Sequence, residues 1–242
     1  MCGICGLTWN DSNLIRKMGQ KIQHRGPEQE GFFFDDHISL CCERLKILDL
    51  SEKAKQPQHN EDSSVWVVLN GDFIFLHNSD YANTNNLHSV WAAKDSLDDD
   101  FICVYGDLLF HKEILENCIQ NDNDICLVIE KNVRSETMKV KIENNLIVEV
   151  NKSISQDLAD GNFIGMAKFK KSMIPVLFGE ISLLVDNGNL KSYYTSAIES
   201  LIKKDEKINF VETNNFPWMD IDEEQDLAAA KKIYQNMNRV DS

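Results

Sequence analysis

The spacing of apolar and polar positions changes part-way along this 242-residue chain. Residues 4–9 predict a short strand. Over 11–23, Leu14, Ile15, Met18 and Ile22 recur at helical spacing, with Asp11 or Ser12 placed to cap the helix. Strands are predicted over 31–34 and 38–42, a polar loop over 51–63, and a buried strand over the β-branched run 65–69. After a seam at 71–78 the rhythm becomes alternating. Helices are predicted over 84–93, 112–119, 174–184, 193–203 and 222–236. Strands are predicted over 101–105, 125–130, 137–142, 147–150, 163–169 and 207–211. Strands alternating with helices argue an α/β layered sheet for this part. There is no internal repeat and no low-complexity linker.

Composition narrows the classes. Hydrophobic residues make up 43% and charged residues 26%, enough for an ordinary globular core. The net charge of −14 argues against nucleic acid or an anionic membrane as partner, so a nucleotide substrate would need local basic groups or Mg²⁺. No apolar run approaches a membrane span and no leader pattern opens the chain, so a cytoplasmic location is expected. The seven cysteines are an odd number and do not form a disulfide framework pattern. Cys2-x-x-Cys5 lacks the second ligand pair that tetrahedral zinc requires. Cys103, Cys118 and Cys126 sit in apolar runs and read as small core residues.

If Met1 is removed, Cys2 carries both a thiol and an α-amine, and the amine can serve as the thiol's base. The motifs that follow give this weight. Cys2-Gly3-Ile4-Cys5-Gly6, His24-Arg25-Gly26-Pro27, Glu43-Arg44-Leu45-Lys46-Ile47-Leu48-Asp49, Gln56-Pro57 and Leu69-Asn70-Gly71-Asp72 occur in this order. Residues 2–72 thereby resemble the class II glutamine amidotransferase domain of asparagine synthetase-like enzymes. The resemblance implies that Cys2 attacks a glutamine amide and that Arg44 pairs with the glutamine α-carboxylate. It implies that Asn70 and the Gly71 backbone N–H form the oxyanion hole. It also marks what is missing. Ser79-Asp80 falls too early to hold the glutamine α-amine, the remaining sandwich strands are absent, and no Ser-Gly-Gly-x-Asp-Ser pyrophosphate loop occurs. A complete asparagine synthetase is excluded.

Asp107, at the end of a predicted strand, and the pair Asp220-x-Asp222 offer hard oxygen ligands for a divalent cation, although a single Asp at a strand end is more often a solvated turn. The wider pattern is Asn78 with Tyr81-x-x-Thr84-Asn85-Asn86, the run 100–110 ending Tyr105-Gly106-Asp107-Leu108-Leu109-Phe110, the run 162–169, Tyr193-Tyr194, and Pro217-Trp218-Met219-Asp220-Ile221-Asp222 with Asp226-Leu227. Residues 76–238 are similar to the later two thirds of cytidylyltransferases that activate phosphocholine, inositol phosphate or 2-aminoethylphosphonate. The resemblance implies Mg²⁺ held by Asp107, Asp220 and Asp222, with CTP or another nucleoside triphosphate as donor. Its acceptor would be phosphocholine-like or a phosphonate. Tyr193, Tyr194 and Trp218 either cover a cationic head group or pack in the core. Here too a part is missing, because the eleven glycines include no Gly-x-Gly-x-Arg loop to wrap phosphates.

The expected organisation is a partial amidotransferase domain of the N-terminal-nucleophile αββα type over 1–75. An incomplete, Rossmann-type nucleotidyltransferase sheet follows over 76–242. Three functional readings follow: a nucleotidyltransferase-like protein with its activity weakened, a Cys2 glutaminase, or a non-catalytic fusion product. Local motifs that point to two global folds weaken a folding funnel.

Overall fold

The computed structural model describes residues 2–47, 50–60, 62–71, 74, 76–135 and 137–240, with backbone alone for 238–240. Met1, Leu48, Asp49 and Asp72, members of the motifs above, lie outside the described residues. The chain divides into two compact units, Met1–Leu76 and His77–Ser242.

In the amino-terminal unit, β1 (Gly3–Leu7), α1 (Ser12–Ile22), β2 (Gln29–Phe34) and β3 (Ser39–Arg44) form a three-stranded antiparallel sheet with a helix across it. The predicted cap is present, since Asp11 Oδ1 accepts from Leu14 N at 2.8 Å. The helix buries Ile15 and lays Gly19 so close to the sheet that a Cβ there would meet Cys41 Sγ at 2.8 Å. Two short strands follow, β4 (Gln58–His59) and β5 (Trp66–Val67), paired with each other. The expectation of a buried strand over 65–69 is corrected. Val65, Val67 and Leu69 are 62%, 44% and 43% exposed. With only two residues of β4 as partner, the run gains no second face to bury against. Trp66 does find packing, stacked on Phe33 at 4.0 Å.

The carboxy-terminal unit runs α2 (Asn86–Trp91), β6 (Phe101–Val104), β7 (Leu108–Phe110), α3 (Lys112–Gln120), β8 (Ile125–Glu130), β9 (Met138–Glu143), β10 (Leu146–Asn151), β11 (Gly161–Phe169), α4 (Ile174–Asp186), α5 (Thr195–Ile202), β12 (Asn209–Glu212), β13 (Trp218–Asp220) and α6 (Asp226–Val240). The main sheet has the order β10-β9-β11-β8-β12. On the side of β11 away from β8, β9 pairs with its first residues and β6 with its last four, Met166–Phe169. The mixed α/β sheet was legible in the alternation of elements. Its strand directions were not. Among the described pairings only β12 with β8 is parallel.

Helices α4 and α5 close one face over Leu127, Ile129, Phe163, Ala167 and Phe169, with Leu177, Ile181, Ile198 and Leu201 completing the larger core. On the other face Ile114 and Cys118 of α3 join Val128, Ile164, Met166 and Trp218 in a smaller one. Cys118 and Cys126 are fully buried as expected, whereas Cys103 is only half-buried because it lies on β6 beside a cleft.

Candidate functional site

Two places collect the predicted residues. In the amino-terminal unit Cys2 is buried, and its thiol donates to Gly71 O at 3.6 Å and Leu45 O at 3.9 Å. The same Gly71 carbonyl accepts from Gln56 Nε2 at 2.9 Å. Cys2 and Gly71 are therefore neighbours, but it is the carbonyl of Gly71 that faces the sulfur. An oxyanion hole needs donors, and a carbonyl offers none. Asn70 is exposed. Arg44 is completely buried, and its Nη1 donates to Gln29 Oε1 at 2.9 Å and Ser51 O at 3.5 Å. Gln29 in turn donates to Glu52 Oε2 at 2.8 Å. Sequence reasoning missed Gln29 as the Arg44 partner, because a contact across 15 residues leaves no spacing signal.

The carboxy-terminal unit holds a cleft of about 770 Å³. One wall is β6 and its continuation to Asp107, and the other is α2 through Asn86, Ser89 and Val90. Asp107, Asp220, Asp222, Tyr193 and Tyr194 all line it. The carboxylates are brought together by a two-stranded ribbon. Strand β13 pairs antiparallel with β7, placing Asp220 opposite Leu108, and Ile221 N donates to Asp107 O at 2.9 Å. Neither strand was predicted from the sequence, since three-residue strands give too few alternations to read.

Burial, then the charges of Asp107 and Asp222, push the Asp220 carboxyl up from 3.8 to about 6, and Arg134 draws it down. Among the described residues no group of three or more Asp, Glu, His or Cys side chains stands ready to hold a metal ion. A cation there would take two of the carboxylates, with water and phosphate oxygens for the rest, as Mg²⁺ commonly does.

The aromatics separate. Tyr193 is half-buried with its hydroxyl 3.1 Å from Lys152 Nζ, whose ammonium also lies 4.8 Å from the ring centroid. That hydrogen bond is the main reason the Tyr193 hydroxyl is more acidic than usual. Tyr194 is fully buried in a cluster of T-shaped contacts with Tyr105 and Phe163. Trp218 does not share the cleft. It packs in the smaller core, donates from Nε1 to Glu130 Oε2 at 3.2 Å and lies beneath Arg134 at 4.2 Å. Lys152 and Arg134 escaped the sequence reading, because each reaches the site through a contact distant in sequence.

The sign of the Asp220 shift gives a stability prediction. An acid raised from 3.8 to about 6 contributes favourably at low pH and loses that contribution as pH rises through 6. In the metal-free protein Asp220→Asn should therefore gain about 1 kcal/mol at pH 8, after discounting for solvent screening, and almost nothing at pH 3, below both pKa values. Urea unfolding of parent and variant at both pH values measures it. A variant less stable than the parent at pH 8 would refute the electrostatic picture.

Residues 1–93 match the glutamine amidotransferase domain, a match that extends past residue 76 into the second unit. The chain is 38% identical over 80 residues to asparagine synthetase 1, glutamine-hydrolyzing, of Bacillus subtilis (strain 168), covering 30% of this chain and 12% of that protein. It is 27% identical over 177 residues to the CTP:phosphoglutamine cytidylyltransferase of Campylobacter jejuni, covering 63% of this chain and 70% of that one. Among solved structures, the inositol-1-phosphate CTP transferase of T. maritima superposes with a TM-score of 0.52 at 19% identity, over 65% of this chain and 63% of that one. That coverage exceeds what the amino-terminal unit supplies, so the likeness in fold takes in the carboxy-terminal unit. The chain joins a segment similar to glutamine amidotransferases, of which it spans a small part, to a mixed α/β unit with the fold of nucleotidyltransferases.

Proposed function

We propose that this is a nucleotidyltransferase-like protein whose carboxy-terminal cleft binds Mg²⁺ and a small phosphate or phosphonate. Cytidylyl transfer and glutamine hydrolysis are both weak in this chain. The observation that carries the reading is the cleft that gathers Asp107, Asp220 and Asp222 beside Tyr193. Burial and the charges of Asp107 and Asp222 make the Asp220 carboxyl harder to ionise, which marks a place short of positive charge. A bound Mg²⁺ would supply that charge and neutralise phosphate oxygens. The protein's own part is to orient it through the β7–β13 ribbon. Lys152, held at the Tyr193 hydroxyl, presents a cation to the acidic end of an acceptor. The relative named for phosphoglutamine adds that acceptor to phosphocholine and 2-aminoethylphosphonate as candidates.

Weak transfer follows from the absent Gly-x-Gly-x-Arg loop. No other glycine-rich run supplies the backbone N–H groups that wrap a triphosphate. Purified chain should release little pyrophosphate from CTP with Mg²⁺ and any of the three acceptors. Robust turnover would refute this part of the reading.

The glutaminase reading draws on the proximity of Cys2 to Gly71. Against it stand the Gly71 carbonyl turned to the sulfur and the sealed Arg44 guanidinium. A glutamine-analogue diazoketone should leave Cys2 unlabelled in protein shown by mass to lack Met1. Stoichiometric labelling there would reinstate the nucleophile.

A further inference from the structure

The cleft has a second property that the acceptor reading does not use. It is lined by every residue from Phe101 to Asp107 in succession. Side chains of a strand alternate between faces, so a cavity lying over one face would touch every second residue. Contact with all of them means that the cleft runs along the edge of β6. On its other edge β6 pairs with β11, in the register Phe101↔Phe169, Ile102↔Lys168, Cys103↔Ala167 and Val104↔Met166. Among the described residues no strand pairs with the cleft edge.

The register identifies which backbone groups are open. Tyr105 N donates to Gly165 O at 3.0 Å, so Tyr105 turns its backbone groups toward β11. By the alternation of an antiparallel ladder, Cys103 and Phe101 do the same, and Ile102 and Val104 turn their N–H and C=O toward the cleft. The sequence of β6 does little to blunt this edge. The strand Phe101-Ile102-Cys103-Val104 contains no charge and no proline, the usual devices that blunt an edge. Val104 is 38% exposed.

We propose that the edge of β6 is a docking site for an extended segment of another protein, which joins the sheet as an additional strand beside β6. The chemistry of that segment can be read from the cleft. Val90, Leu97, Phe101 and Cys103 give it an apolar lining, so the segment carries apolar side chains. Exposed Asp98 and Asp99 stand before the strand and Asp107 with Asp222 after it, so the segment is flanked by basic residues. The same charges disfavour a second copy. Two antiparallel β6 edges would set Asp98 and Asp99 of one chain against Asp107 of the other, between molecules that each carry −14.

The test uses the full chain and fluorescently labelled synthetic hexapeptides: Arg-Val-Ile-Val-Ile-Arg, its Asp-flanked counterpart, and the Arg-flanked peptide N-methylated at alternate residues on each edge in turn. Fluorescence anisotropy should show the Arg-flanked peptide binding roughly tenfold or more tighter than the Asp-flanked one, with the form N-methylated on the edge that faces β6 weakened by a similar factor and the form methylated on the other edge unchanged. Amide hydrogen exchange at Ile102 and Val104 should slow by roughly tenfold or more in the complex, with Cys103 little changed.

Val104→Pro removes an N–H that β11 does not use, so binding should be lost while the thermal transition stays close to the parent's. If Val104→Pro proves unfolded, the N-methylated peptides on the parent protein decide alone. Equal binding of all peptides, or unchanged exchange at Ile102 and Val104, overturns the proposal. So does a parent dimer that Val104→Pro converts to monomer, because the occupant is then a second copy.

Discussion

Gly165→Ala is expected to lower the thermal transition of the carboxy-terminal unit by roughly 10 °C, from a cost of about 3–4 kcal/mol at about 2–4 °C per kcal/mol. Gly165 lies in β11, the strand that pairs with β6, β8 and β9 and so organises the sheet. Its φ of +92° lies in the region that L side chains rarely adopt. Space is also lacking, since a Cβ there would fall 2.5 Å from Cδ2 and 2.8 Å from Cγ of Tyr105. An aromatic ring cannot bend out of the way as the end of a flexible side chain does. Moving it would also disturb the Phe163 and Tyr194 contacts at 6.0 Å. The β11–β8 register shifts between Phe163 and Ala167, so the strand is already irregular here and the glycine is what permits it. Circular dichroism melts of parent and variant decide the matter. A transition within a degree or two of the parent's would mean that Tyr105 does not pack as described.

A second large effect is expected on Mg²⁺ binding. Mg²⁺ at about ten times its dissociation constant should stabilise the chain by about 1.4 kcal/mol at pH 7.5. The double substitution Asp107→Asn with Asp222→Asn should remove that gain entirely, because it leaves Asp220 as the one carboxylate of the three. At pH 5 the gain should shrink in the parent as well. Asp220 takes up its proton through about 6, and a protonated carboxyl is a poor ligand for a hard cation. Melts with and without Mg²⁺ measure this. Equal stabilisation of parent and double variant would place the ion elsewhere.

How far the sequence reveals this molecule depends on the range of each signal. The strand over 125–130 was legible to the residue, because an unbroken apolar run has one interpretation once length is considered. The cap at Asp11 was legible because it is a contact across three residues. The candidate carboxylates were legible through motif resemblance, but the β7–β13 ribbon that joins them was not, since strands of three residues carry no period. Trp218 and Tyr193 looked alike in sequence. Only tertiary packing sends one under Arg134 in the smaller core and the other to the cleft. The run 65–69 misled for the same reason: β-branched residues favour a pleated surface, but nothing local says whether a second layer will cover it.

The open edge of β6 was invisible in sequence, because pairing is a property of what lies beside a strand. It bears on the weak transfer proposed above. A sheet that ends at β6 offers a cleft where a further strand would stand, and the acceptor residues sit at one end of that same cleft.

The central claim is that the cleft beside Asp107, Asp220 and Asp222 binds Mg²⁺, through two of these carboxylates, together with a small phosphorylated or phosphonate ligand. It is tested most directly by calorimetric titration of 2-aminoethylphosphonate into the full chain at pH 7.5, with Mg²⁺ present and then withdrawn by a chelator. The account predicts saturable binding that depends on Mg²⁺ and disappears in the Asp107→Asn, Asp222→Asn variant. Binding that is indifferent to Mg²⁺ and to both substitutions, or no binding at millimolar ligand, would contradict it.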